Sequence, residues 1–197
     1  MEILTDNVEC IILSAGLSSR MGTHKALLQY DNKHSFITKI IEIYKEAGIN
    51  KIHVISNPDL AKNLYIENVN IIINDKPEYE RFYSVKLGCA NLNHGSIFCF
   101  IQNCDNPFLK IDLINQLLEN ISDADYAVPV FYDRGGHPIL IGKKIIDHIK
   151  SLSFLQNNLR EVLSSFNIKK IDVDDENVLL NINTLEEYNK YFLNAHD

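Results

Sequence analysis

The sequence predicts an α/β fold built on a mostly parallel sheet. Short apolar runs alternate with helical-period segments through the first two thirds of the chain, the pattern of repeated βαβ units. The first such run leads straight into a glycine-containing loop at Gly16. A later one, Ser-Ile-Phe-Cys-Phe-Ile over 96–101, is continuous enough to lie in the middle of a parallel sheet, buried on both faces.

The elements follow in order. Residues 8–13, Val-Glu-Cys-Ile-Ile-Leu, read as a buried strand. Over 35–47, Phe36, Ile37, Ile40, Ile41 and Tyr44 recur at helical spacing, and Gly48 is a natural stop. Strands are expected at 51–56 and 69–73, with a turn at Asn57-Pro58 and a short polar helix between them. A helix over 82–92 leads to the strand at 96–101; another over 111–121 leads to a strand at 126–130. A turn at Gly135-Gly136 then gives a strand at 137–141. Helices near 143–150 and 156–166, a strand at 168–173, and a final helix started by the capping box Thr184-Leu185-Glu186-Glu187 complete the chain. With no repeat and no Pro/Ser-rich linker, residues 1–197 are expected to form one domain.

Composition narrows the function. A net charge of −7 argues against a nucleic-acid or anionic-membrane binder, because phosphate polymers are held by clustered Lys and Arg. A small phosphorylated ligand stays compatible, since Arg20, His24 and Lys25 fall within six residues. Cys10, Cys89, Cys99 and Cys104 form no C-x-x-C pair, which points to reduced thiols. The histidines show no H-x-x-x-H spacing, so a zinc site is not expected. An acidic N-terminal stretch without a leader pattern, and the lack of apolar runs near ~18 residues, give the expectation of a cytoplasmic protein.

The loop at 12–25 is the most informative segment. It fails the P-loop spacing, since five residues separate Gly16 from Gly22 and Thr23-His24 precede Lys25. It also lacks the three glycines of a dinucleotide fingerprint. Its residues nonetheless suit a triphosphate. Gly16 permits close backbone approach, successive N–H groups can form an anion nest, Arg20 can fork onto phosphate oxygens, and Lys25 can serve as a mobile point charge.

Leu13, Ala15, Gly16, Arg20, Met21, Gly22 and Lys25 match the loop L-x-A-G-x-x-x-R-M-G-x-x-K. The segment therefore resembles the signature of the MobA-like nucleotidyltransferases, which include the molybdenum-cofactor guanylyl- and cytidylyltransferases. Cys104-Asp105-Asn106-Pro107-Phe108-Leu109 is similar to that family's C-D-x-P-F-L segment, Arg134-Gly135-Gly136-His137-Pro138 to the cytidylyltransferases' R-x-G-H-P, and Asn181-Ile182-Asn183-Thr184 to the guanylyltransferases' N-x-N-T. Asn74 and Ser84 look like a looser counterpart of residues flanking nucleotide and acceptor, although Arg81 stands where the cytidylyltransferases usually have Gly.

The resemblance implies a three-layer α/β/α, Rossmann-like nucleotidyltransferase. It implies Mg²⁺ held by Asp105 and an amide of Asn181 or Asn183. Arg20, Lys25 and Asp105 would serve catalysis; Leu13, Ala15, Gly16, Arg20, Gly22, Lys25, Asn74 and Ser84 would bind nucleotide. Arg134, Gly136 and His137 would meet the acceptor, with the Gly pair allowing a tight approach. The implied reaction moves CMP from CTP to the phosphate of molybdopterin with release of pyrophosphate, and a molybdoenzyme or its chaperone is the candidate recipient. Ala15 and the R-G-G-H-P segment point to CTP; Asn181-Ile182-Asn183 points to GTP. A sugar or polyol phosphate acceptor, and a non-catalytic nucleotide-binding module, stay open on the sequence alone.

Overall fold

The computed structural model describes residues 5–16, 23–76, 79–153 and 158–193. Its frame is one eight-stranded sheet. β1 (Val8–Ser14) is buried along its whole length and lies between β2 (Lys51–Ser56) and β4 (Phe98–Asn103), parallel to both. β3 (Asn70–Ile73) extends the sheet beyond β2, again parallel. On the far side of β4 comes β7 (Ile139–Gly142), antiparallel to it and to β5 (Tyr126–Phe131). β5 carries β8 (Ile168–Asp172) in parallel over residues 126–130. Its other edge is left to β7 at its start and to β6 (Arg134–Gly135) at its end.

Four of these seven pairings are parallel, so the sheet is mostly parallel as the alternation predicted. The antiparallel part has a local cause. Tyr132 and Asp133 both take positive φ, 43° and 62°, and turn β5 back onto β6 with Phe131 opposite Arg134. Two consecutive left-handed residues are what a tight two-residue hairpin requires. The expected turn at Gly135-Gly136 is therefore displaced to Tyr132-Asp133, and those glycines belong to the returning strand and its exit.

Helices cover both faces and give the three-layer architecture. On one face, α1 (Phe36–Glu46), α2 (Pro58–Ala61) and α4 (Ile111–Asn120) bury Ile37, Ile40, Tyr44, Leu60, Ile114 and Leu117 against Cys10, Ile12 and Phe100. On the other, α3 (Glu80–Ala90), α5 (Lys143–Ser151) and α6 (Leu159–Leu163) pack Val85, Cys89, Ile145, Ile149 and Val162 on Ile11, Leu13 and Ile101. Alternate residues of β1 thus feed opposite cores, as strand geometry requires. α7 (Leu185–Tyr188) and the turn that follows dock Tyr188, Tyr191 and Phe192 around Phe36 and Ile182. The expected helix over 156–166 is shorter, and residues 154–157 lie outside the described residues.

β4 starts and ends two residues later than its apolar run suggested. Ser96 is drawn away to a hydrogen bond with Glu9. At the other end Gln102 and Asn103 are buried in the strand, because Gln102 Nε2 donates to the carbonyls of Asn103 and Asn106, 2.9 Å each. A buried polar side chain is tolerated where its hydrogen bonds are made.

Candidate active site

The chain order reverses at β1: β2 and β3 build outward on one side, and β4 is laid on the other. In open α/β sheets the crevice at the carboxyl ends of two such strands is where ligands bind. The loop leaving β1 and the turn leaving β4 meet there, and Cys104 N donates to Leu13 O at 3.1 Å.

Three predicted residues converge at this point. Lys25 Nζ lies 3.1 Å from Asp105 Oδ2 and donates to Asn183 Oδ1 at 2.6 Å, contacts that span 80 and 158 residues of sequence. Each partner is positioned from below. Asp105 sits in the turn that Gln102 organises, and its carbonyl accepts from Ile182 N at 2.7 Å. Asn183 is held by the capping box: Glu187 Oε2 accepts from the backbone N–H of Asn183 (2.6 Å) and Thr184 (3.0 Å), and Thr184 caps α7. Packing of Ile182 against Leu28 and Phe36 anchors the segment from behind.

Four buried side-chain polar atoms lack a hydrogen-bond partner among the described residues: His24 Nδ1, Asp105 Oδ1, His137 Nδ1 and Asn181 Oδ1. All lie in segments singled out in the sequence. Unsatisfied buried polar atoms are rare and call for an explanation. Asp105 Oδ1, Asn181 Oδ1 and Asn183 Oδ1, the last on the same lysine as Asp105, are hard oxygen donors of the kind Mg²⁺ takes, an ion that commonly has few protein ligands and completes its shell with phosphates and water.

Other predicted residues have different fates. At Gly16 a Cβ would meet nothing within 4 Å among the described residues. Arg20 and Gly22 lie outside the described residues. Asn74 and Ser84 are buried and joined to each other, Nδ2 to Oγ at 2.9 Å, tying the end of β3 to α3. The tight approach at Gly136 is to the chain itself: a Cβ would stand 2.5 Å from the carbonyl oxygen of Val178, which accepts from His137 N at 2.9 Å. His137 is therefore fixed beside the Asp105 turn, because Asn106 Nδ2 reaches the same Val178 carbonyl at 3.4 Å. Arg134 lies farther out, in a cavity of about 340 Å³ lined also by Phe131, Tyr132, Glu176, Leu180 and Tyr191.

Electrostatics distinguish the titratable groups. Burial, reinforced by the Arg81 charge, pulls the His137 pKa down to about 4, so its ring is neutral near pH 7. Burial, then the Asp105 carboxylate, pushes the Cys104 thiol up to about 12 and keeps it from acting as a thiolate. Arg81 has its pKa lowered by desolvation, against which the Asp105 carboxylate works.

Sequence reasoning missed two supports. Asn57, read only as part of a turn, donates through Nδ2 to the carbonyls of Ala15 and Gly16 at 3.3 Å each. Its Oδ1 meanwhile accepts from Leu60 N at 2.8 Å and caps α2. Asn before Pro is a helix-start signal, but nothing local reveals that the same side chain pins a distant loop. Gln102 is the second; a polar residue ending an apolar run was its only trace.

A phosphate-type loop and an acidic turn meeting at the switch point of an α/β/α sheet define a nucleotidyltransferase class of protein. Residues 10–171 match the model of the MobA-like NTP transferase domain, and the chain belongs to that family. It is similar to the molybdenum cofactor cytidylyltransferase of Escherichia coli (strain K12), 25% identical over 195 residues covering 92% of this chain and 93% of that protein. A probable molybdenum cofactor guanylyltransferase of Bacillus mycoides (strain KBAB4) is 30% identical over 187 residues, 90% of this chain and 92% of that one. The fold is shared with Rv0371c of Mycobacterium tuberculosis H37Rv, with a TM-score of 0.83 at 16% identity, over 95% and 97% of the two chains. A structure of Rv0371c has also been solved in complex with manganese; it aligns with a TM-score of 0.79 at 14% identity, over 95% and 98% of the two chains. No helix among the described residues is long and apolar enough to cross a membrane.

Proposed function

We propose that residues 1–197 act as one Mg²⁺-dependent nucleotidyltransferase that moves CMP from CTP to the terminal phosphate of molybdopterin. The carrying observation is the meeting of Lys25 with Asp105 and Asn183, together with side-chain oxygens of Asp105 and Asn181 that have no partner among the described residues. The relatives' names supply the acceptor, and the length over which they align supports treating the chain as one unit.

A phosphate oxygen of the acceptor attacks the α-phosphorus of the nucleotide. The new P–O bond forms as the bond from that phosphorus to the bridging oxygen breaks, and pyrophosphate leaves with the electron pair. The attacking oxygen is already anionic, so no general base is needed. The protein's share is positioning and charge compensation, as in phosphoryl transfer generally. The backbone of Leu13, Ala15 and Gly16, held by Asn57, presents the loop. Arg20 and Lys25 take the triphosphate, Lys25 exchanging its contacts with Asp105 and Asn183 for phosphate oxygens. Asp105, Asn181 and Asn183 would hold the magnesium ion, which when bound offsets charge on the triphosphate and leaving pyrophosphate. Neutral His137 offers a hydrogen bond on the acceptor side, with Arg134 farther along it.

Ala15 and Arg134-Gly135-Gly136-His137-Pro138 favour CTP. The second reading, GTP with the same acceptor, draws on Asn181-Ile182-Asn183 and on the guanylyltransferases among the relatives. Purified protein with MgCl₂ and the molybdenum cofactor is expected to release pyrophosphate from CTP. Turnover of GTP alone would replace the first reading with the second. Turnover only with a sugar 1-phosphate would overturn the acceptor, and none with any acceptor would leave a binding module.

A further inference from the structure

Lys25 already sits as a cation on two of the residues proposed for the metal. Its Nζ lies 3.1 Å from Asp105 Oδ2 and donates to Asn183 Oδ1 at 2.6 Å. The Lys25 and Asp105 side chains are only 18% and 22% exposed, so water and salt screen this contact less than they would a surface pair. The backbones around it are tied down. Asp105 O accepts from Ile182 N at 2.7 Å, and Asn183 N donates to Glu187 at 2.6 Å. The Lys25 carbonyl accepts from Leu28 N at 3.1 Å, the adjoining Ala26 is buried, and Gln29 O accepts from the Tyr188 hydroxyl at 2.9 Å. The movable part is the lysine stem, four carbons ending in a point charge.

An ammonium and a divalent ion cannot share these oxygens. Magnesium holds its oxygen ligands at about 2.1 Å, and a second cation at hydrogen-bond distance from the same atoms would stand against it with like charge. The donor set is also poor in charge: Asp105 brings one carboxylate, while Asn181 and Asn183 bring neutral amides. Exchanging the lysine for a metal ion therefore gains little from the protein alone. A triphosphate alters both sides of that exchange. Its oxygens give the ammonium another partner, and its negative charge supplies what the amides lack.

We propose that Lys25 holds the metal-binding oxygens of Asp105 and Asn183 until a triphosphate draws it away, so that the divalent ion binds tightly only together with the nucleotide. This order of binding rests on the nucleotidyl-transfer reading and adds a regulation to the same site. Lys25 then has two seats. In one it compensates the Asp105 carboxylate between turnovers, and in the other it compensates the triphosphate. The swing between them needs side-chain rotation alone, because both partners and the lysine backbone are anchored. If the lysine occupies the first seat in about nine molecules of ten, the apparent affinity for a metal ion is lowered roughly tenfold.

Metal binding without nucleotide tests this directly. Mn²⁺ takes the same hard oxygen ligands as magnesium, and its free-ion electron paramagnetic resonance signal reports what the protein has bound. Lys25→Met, which removes the ammonium and keeps the apolar stem, is expected to bind Mn²⁺ at least tenfold more tightly than the wild type, with an unchanged far-UV spectrum. Lys25→Gln is expected to shift the same way and serves if the methionine variant does not fold. Adding Asp105→Ala to either variant should abolish the gain, which places it at the Asp105 carboxylate. Equal or weaker Mn²⁺ binding in the folded Lys25 variants, or a gain that survives Asp105→Ala, would overturn the competition. Wild-type turnover of CTP or GTP beside such a result would leave the nucleotidyl-transfer reading standing. The gain in Lys25→Met with no wild-type turnover of either nucleotide would keep the competition and refute that reading instead.

Discussion

The two ends of the sheet treat buried polarity in opposite ways. At the amino end, Glu9 of β1 is fully buried and every neighbour is engaged. His53 Nε2 lies 2.6 Å from its Oε2, Asn93 donates to Oε1 through both N and Nδ2 at 2.9 Å, Ser96 Oγ donates to the same oxygen, and Asn70 closes the cluster on His53. At the carboxyl end, Asp105, Asn181, His137 and His24 each keep an atom without a partner among the described residues. A fully satisfied polar network rigidifies a core, while a partly satisfied one costs stability unless a ligand completes it. One end therefore holds the strands together, and the other leaves polar atoms that a ligand would complete.

The largest effect expected from that contrast is at Asp105. Asp105→Ala should lower turnover by roughly 10³-fold, the scale on which a preorganised charge contributes to catalysis. It should leave the denaturation midpoint little changed, because removing the unsatisfied Oδ1 offsets the loss of the Lys25 contact. Steady-state kinetics beside urea titration would show it, and a large loss of stability would break the contrast. Glu9→Ala should do the reverse. It strands the donors of Asn93 and Ser96 and should cost about 3 kcal/mol of stability, with turnover per folded molecule unaltered.

Asn57 comes next, because it belongs to neither end alone: it caps α2 and pins the loop. Asn57→Asp keeps the acceptor for Leu60 N and loses the donor to Ala15 and Gly16. We expect about a tenfold rise in KM for nucleotide, roughly 1.4 kcal/mol, with little change in stability. Asn57→Ala should add the loss of the cap, about 1 kcal/mol. Equal kinetics for Asn57→Asp and wild type would show that the loop holds its shape unaided.

The same contrast explains what the sequence discloses. Strands and helices were legible because period and burial coincide: Cys10 and Ile12 face one core, Ile11 and Leu13 the other. The family was legible because the local spacing of Leu13, Ala15, Gly16, Arg20, Met21, Gly22 and Lys25 carries it. Glu9 was not, since a lone acid in an apolar run says nothing of His53, Asn93 and Ser96 waiting across the fold. Gly136 was misread for a similar reason, its close approach being to Val178, a neighbour only in three dimensions. The hairpin at Tyr132-Asp133 was hidden because neither residue is the Asn-Gly or Asp-Gly pair that announces such a turn.

The smallest expected effect separates the two ends by pH. Burial would raise the Glu9 pKa, but the hydrogen bonds from His53, Ser96 and Asn93 outweigh it and bring the value from 4.5 to about 2. The unfolded chain therefore binds more protons in that interval, and up to about 3 kcal/mol of stability present above pH 4.5 is lost as pH falls to 2. His137 shifts from 6.5 to about 4. Here too the unfolded chain takes up the proton first, so stability falls as pH drops from 6.5 towards 4, by about 1 kcal/mol between roughly pH 7 and 5 for a partly exposed ring. The signs agree and the causes differ: acid must discharge a well-partnered carboxylate at one end, and at the other the fold resists charging an unpartnered ring. Urea midpoints measured from about pH 8 down to about pH 2 should show both limbs. His137→Gln should flatten only the upper and Glu9→Gln only the lower. Loss of both limbs in either variant would mean that the two ends are coupled through β1 and β4 rather than independent.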